Sequence, residues 1–240
     1  MGRNSNASLM DSIINDMKVN EEFMRDKAKS TFNEVLELIN DGIDYLVYTA
    51  KKWKELGEKS VDEFVKRPIY FYINNILLPL SYAIYADLLI ANLPACFMEL
   101  RLMLDSLAKC YMAEKYTDEK SFFEVRIMVI EDFMKKRGIS TSKLMKDFGQ
   151  DIGLKNKPQK LWCKISENWA HTRGFVKTII DYLIKEGMPP PYALIIPCSY
   201  SESDLTSIKQ LGNNISEFKK ILKISLSKLT IQKDKKEMKA

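Results

Sequence analysis

His171 is the only histidine in the chain, and imidazole is the side chain whose ordinary pKa lies near neutrality. It is therefore the first candidate for general acid or base work. Lys164 and Arg173 stand near it in sequence and would offer cationic help to a phosphate. Glu167 precedes His171 by one helical turn, a spacing that equally suits a solvated Glu167–His171 pair with no further role. Arg101 and Asp105 form a second set, four residues apart and so on one face of a helix. That spacing predicts a structural ion pair, although such an arginine could also reach a bound phosphate.

The same inventory excludes much chemistry. Di-metal carboxylate bundles need an E-x-x-H on each of two helices, which one histidine cannot supply. The cysteines Cys96, Cys110, Cys163 and Cys198 contain no C-x-x-C pair, so zinc ligation fails on spacing. Reduced, mostly buried thiols in a cytoplasmic protein are expected instead. No two glycines are close enough for a phosphate-cradling loop of either common type. Cys163 and His171 as a nucleophile pair would sit about 12 Å apart along a helix and about 80° apart around it. Neither a cofactor nor a metal is implied.

The chain that carries these residues reads as a succession of helices. Only 9 Gly and 8 Pro occur in 240 residues, 46% of them hydrophobic, which argues for long helices joined by few loops. Phe32, Val35, Leu36, Ile39, Ile43, Leu46 and Val47 keep helical spacing within one or two helices over residues 7–56. Ser60 and Glu63 have capping-box spacing for a short helix over 61–66, closed by Pro68. A helix over 70–91 should kink near Pro79, another should run over 95–115 behind Asn92 and Pro94, and Asp118 should cap one ending at Gly138. Residues 140–148 suggest a short helix, 149–158 a polar loop and 159–185 a helix.

On that last helix Leu161, Ile165, Trp169, Thr172, Val176, Ile179 and Leu183 share one apolar face. His171 lies on the other side with Lys160, Lys164 and Glu167, where Ala170 and Gly174 would let a second surface approach. Residues 68–98 are apolar enough to raise a membrane span, but Asn74, Asn75 and Pro79 suit a buried central helix better. No lipid anchor or secretory signal is indicated at the start.

Charge is concentrated at one end. Residues 219–239 carry eight lysines against Asp234 and Glu237, an excess of six, so the net +5 leaves −1 for residues 1–218. The body is neutral, and the basic tail is either solvated or laid on phosphate.

Two segments resemble a branch of the HEPN superfamily in which an R-x-x-x-E/D helix precedes a helix ending in L-S-x-x-x-H. Arg101 and Asp105 match the first pattern. Ile165, Ser166 and His171 match the second, with one more residue between serine and histidine. The resemblance implies an all-α, up-and-down helical bundle of about six to eight helices that often dimerises through the His-bearing helix. It also implies metal-independent RNA cleavage, in a defence or toxin setting, with His171, Arg101 and Lys164 as catalytic groups and Asp105, Glu167 and Arg173 as binding groups. Many members carry an arginine four to six residues before the histidine, and this chain has Ile165, Ser166 and Glu167 there, with Lys164 one position further back. The other expectation is a non-catalytic, dimerising interaction module. The expected organisation is a helical domain over 1–218, with an extension (1–67), a HEPN-like core (68–186), a Pro-rich loop (187–203), a C-terminal helix (204–232) and a basic tail (233–240).

Overall fold

The apolar spacing of the first fifty residues resolves into two helices, α1 (Arg3–Lys27) and α2 (Lys29–Leu56), separated at Ala28. The computed structural model of the chain describes residues 3–57, 60–170 and 199–237. On α2, Phe32, Val35 and Ile39 enter the core as expected, whereas Ile43 and Val47 stay exposed. A short α3 (Ser60–Phe64) follows.

Pro68 does not close α3 but opens the next helix, because its fixed φ and missing N–H suit the first helical turn. That rod is α4 (Pro68–Tyr72), a π-helical turn (Ile73–Leu77) and α5 (Leu78–Leu89). The π turn accounts for the expected disturbance at Pro79: widening the ladder by one residue accommodates a ring that would collide with the preceding turn. Ala91, at φ 60°, then ends α5, with Asn92 N–H bonded to Asp87 O at 2.8 Å and Ala91 N–H to Leu88 O at 3.3 Å. This is the closing pattern usually given to glycine.

The central element is α6 (Leu93–Tyr116), which packs against α5 and most of the later helices. Leu100, Met103, Leu104, Leu107 and Tyr111 are wholly buried on it. Apolar residues nearly all round explain its place at the centre. The next helix, α7 (Phe123–Arg137), starts four residues later than Asp118 suggested. Asp118 instead accepts a hydrogen bond from Lys120 N–H in the preceding turn. Gly138 ends α7 at φ 61°, as expected.

The polar loop expected over 149–158 is shorter than that, residues 152–156, with helices reaching into it from both sides: α8 (Thr141–Asp151) is capped by Ser140, and α9 (Lys157–Ile165) begins with Pro158 in its first turn. Gly149 permits their tight connection, since a Cβ there would lie 2.0 Å from Lys155 O. A second π turn (Ser166–Ala170) extends α9. A short 3-10 turn (Glu202–Asp204) leads into α10 (Leu205–Glu237), which carries on through much of the stretch read as a basic tail.

Gly212 marks a close crossing on α10. A Cβ there would meet Thr31 Oγ1 at 2.5 Å, and Thr31 donates to Ile208 O at 3.0 Å, joining α2 to α10. The architecture is an all-α helical bundle, with no strand among the described residues and no described helix long and apolar enough to cross a membrane.

Candidate functional site

The seam between α6 and α9 gathers the sequence motifs. Leu161, Ile165 and Trp169 point inward, as the helical spacing predicted, and Lys160, Lys164 and Glu167 point outward. Trp169 stacks on Phe97 of α6 with ring centroids 4.3 Å apart and planes 10° apart. Trp162 does the same service for a charge, lying under the Arg101 guanidinium at 5.0 Å. A tryptophan face attracts a cation, and guanidinium stacks on it better than ammonium would.

Arg101 and Asp105 do not form the expected ion pair. Among the described residues Arg101 has no carboxylate partner, and its Nε is buried without a hydrogen bond. Asp105 Oδ1 is likewise buried without a partner. Burial pushes the Asp105 carboxyl above its ordinary value, against the opposing pulls of Arg101, the Trp162 indole N–H and Lys109. The indole lies close enough to draw on the carboxylate yet does not complete a hydrogen bond. The spacing puts the two residues on one face, and the guanidinium lies over the Trp162 ring while still acting on the aspartate through space.

Unmet polar atoms accumulate along this seam. Ser166 Oγ, Trp162 Nε1 and Trp169 Nε1 are buried without partners, as is Asn214 Nδ2 on α10. With Arg101 and Asp105 these make six of the ten such side-chain atoms among the described residues. Buried polar groups are usually satisfied, so their concentration here marks the seam as the candidate site. Lys164 is exposed and donates to Asn214 Oδ1 at 3.0 Å, tying α9 to α10. Glu167 is also exposed. His171 and Arg173, with Cys198, lie outside the described residues; His171 follows Ala170 directly in the chain.

Sequence reasoning misses two features of this region. Trp162 carries no signal beyond its place in a helical motif, and its role depends on helix–helix packing that periodicity does not reveal. Glu99 is equally unmarked, yet its carboxyl is pushed up to about 8 by burial first and then by Asp87. Asp87 in turn accepts from Asn92 Nδ2 at 3.0 Å, so that Asn92 serves the α5 end rather than capping α6. The thiols of Cys96 and Cys110 are buried and raised, the latter to about 12, and are therefore inert at neutral pH.

The fold and the seam define the class no more narrowly than an all-α bundle whose central helix carries an arginine with no ion-pair partner among the described residues. Compared with protein-family models, with curated proteins and with solved structures, the chain matches none.

Proposed function

We propose that this chain handles RNA at the α6/α9 seam as a HEPN-type, metal-independent ribonuclease. The observation that carries the reading is the Arg101 guanidinium, stacked on Trp162, with a buried unpartnered Nε and no ion-pair partner among the described residues. A half-buried arginine without such a partner is costly, and a phosphodiester is the ligand whose charge and oxygen geometry it fits. Trp162 holds the guanidinium plane, so little rotamer freedom is lost when a phosphate arrives.

In the reaction, His171 removes the proton from a ribose 2′-hydroxyl, whose oxygen then attacks the adjacent phosphorus. The bond to the 5′-oxygen breaks, that oxygen takes a proton from the imidazolium, and a 2′,3′-cyclic phosphate remains. Arg101 stabilises the charge developing on the non-bridging oxygens, and Lys164 and Arg173 add cationic character. The lysines of the C-terminal stretch contribute salt-sensitive affinity without sequence preference.

Incubating a structured RNA with the parent chain in excess chelator tests this. Cleavage to products with cyclic phosphate ends is expected, lost in His171→Ala and reduced at least tenfold in Arg101→Ala. Equal cleavage by parent and His171→Ala, or none by the parent, overturns the enzymatic reading.

A further inference from the structure

Helix α7 carries an apolar stripe on its outward face. Phe122 at 59% exposure, Met128 at 54% and Phe133 at 52% are joined by Val125 and Val129, also exposed. Its inward face is already occupied by Arg126 and Ile130, which are buried against the bundle. The stripe is therefore additional to what folding uses. These five side chains expose on the order of 500 Å² together, in the range of a monomer's largest apolar patch. Only Asp132 interrupts them.

The charges beside the stripe select its occupant. Glu124 and Lys135 are both exposed, at opposite ends of α7, and neither has an ion-pair partner among the described residues. Eleven residues apart, they differ by only about 20° around the helix, so they lie on the same flank. A two-fold antiparallel pairing keeps like flanks together and reverses the ends. It brings Glu124 of one copy to Lys135 of the other, twice, about a centre beside Val129. The helix dipoles are opposed in the same arrangement, because the paired axes run antiparallel.

We infer that α7 is the homodimer interface, an isologous antiparallel helix pair formed by the Phe122–Phe133 stripe of two copies. This places the partner on a different helix from the His-bearing one, and it holds whether or not the chain cleaves RNA. A stable interface needs roughly 800 Å² from each partner. The stripe supplies the apolar centre and the Glu124 and Lys135 flanks supply the polar rim.

Sedimentation velocity at micromolar concentration should show a dimer for the parent chain. Val129→Asp should weaken it at least tenfold with the helical circular dichroism unchanged, whereas Ile14→Asp, the same change at an exposed position on α1, should leave it intact. The pairing geometry has its own readout. Glu124→Lys and Lys135→Glu should each weaken self-association several-fold, and an equimolar mixture of the two variants should restore association as a heterodimer. A monomeric parent, a dimer indifferent to Val129→Asp, or a mixture no tighter than either variant alone overturns the inference.

Discussion

Arg126 and Arg101 both bring a guanidinium against the central helix, and the molecule treats them in opposite ways. Arg126 is 1% exposed and donates to Thr117 Oγ1 at 2.9 Å, to Ala113 O at 3.1 Å, to Glu114 O at 2.8 Å and to Lys66 O. It closes the carboxyl end of α6, whose last carbonyls have no helical partners. Beside it, Glu114 accepts from Arg67 and from Ile69 N–H, so the start of α4 is tied to the same point. Arg101, half-buried in the first half of α6, has an aromatic face and no acceptor for its Nε. A buried charge with every nitrogen engaged is scaffold. One held in place but left unmet retains binding capacity, and its neighbours Asp105, Ser166 and Trp162 share that state.

Removing each arginine should separate the two roles. Arg126→Met removes four hydrogen bonds, to three carbonyls and a threonine hydroxyl, and should cost about 3–5 kcal/mol in denaturant unfolding. Should that variant prove insoluble, Arg126→Lys, which keeps the charge but not the fork, should fold with a smaller loss of about 1–3 kcal/mol. Arg101→Met replaces a stacked but unpaired cation by an apolar chain of similar length. It should change stability by less than about 1 kcal/mol, because no hydrogen bond is lost. A large loss at Arg101 and a small one at Arg126 would reverse the assignment.

Glu99 gives the smallest effect and a distinct pH signature. Its folded pKa, about 8, lies above the ordinary 4.5, so the folded chain holds a proton that the unfolded chain releases. Stability attributable to this group is therefore full below about pH 4.5, falls as pH rises toward 8 and is level above that. Glu99→Gln should leave the melting temperature unchanged at pH 4 and raise it at pH 9. With the carboxyl partly in contact with solvent, the gain should be under about 1 kcal/mol.

The elements are legible in the sequence wherever one residue decides locally. Gly138 ends α7 because a left-handed residue is needed there, and Leu161, Ile165 and Trp169 are inward because helical periodicity forces it. Pro68 and Asp118 defeat a local reading because each suits two roles, and the choice belongs to packing: Pro68 opens a helix, and Asp118 holds a turn. The Arg101–Asp105 face is legible as a face. Its chemistry is not, since the ring over which the guanidinium lies, Trp162, is far along the chain on α9. The charge pair Asp87 and Glu99 is hidden for the same reason, with α5 and α6 meeting only in three dimensions.

If Arg101 is kept unpaired for a phosphodiester, fluorescence anisotropy of a labelled single-stranded RNA should reveal it. The parent chain should bind with an affinity that falls as salt rises, and Arg101→Met should bind at least tenfold more weakly while unfolding at the same denaturant concentration. Equal RNA affinity in the two proteins, or no binding by the parent at low salt, would contradict that role for Arg101.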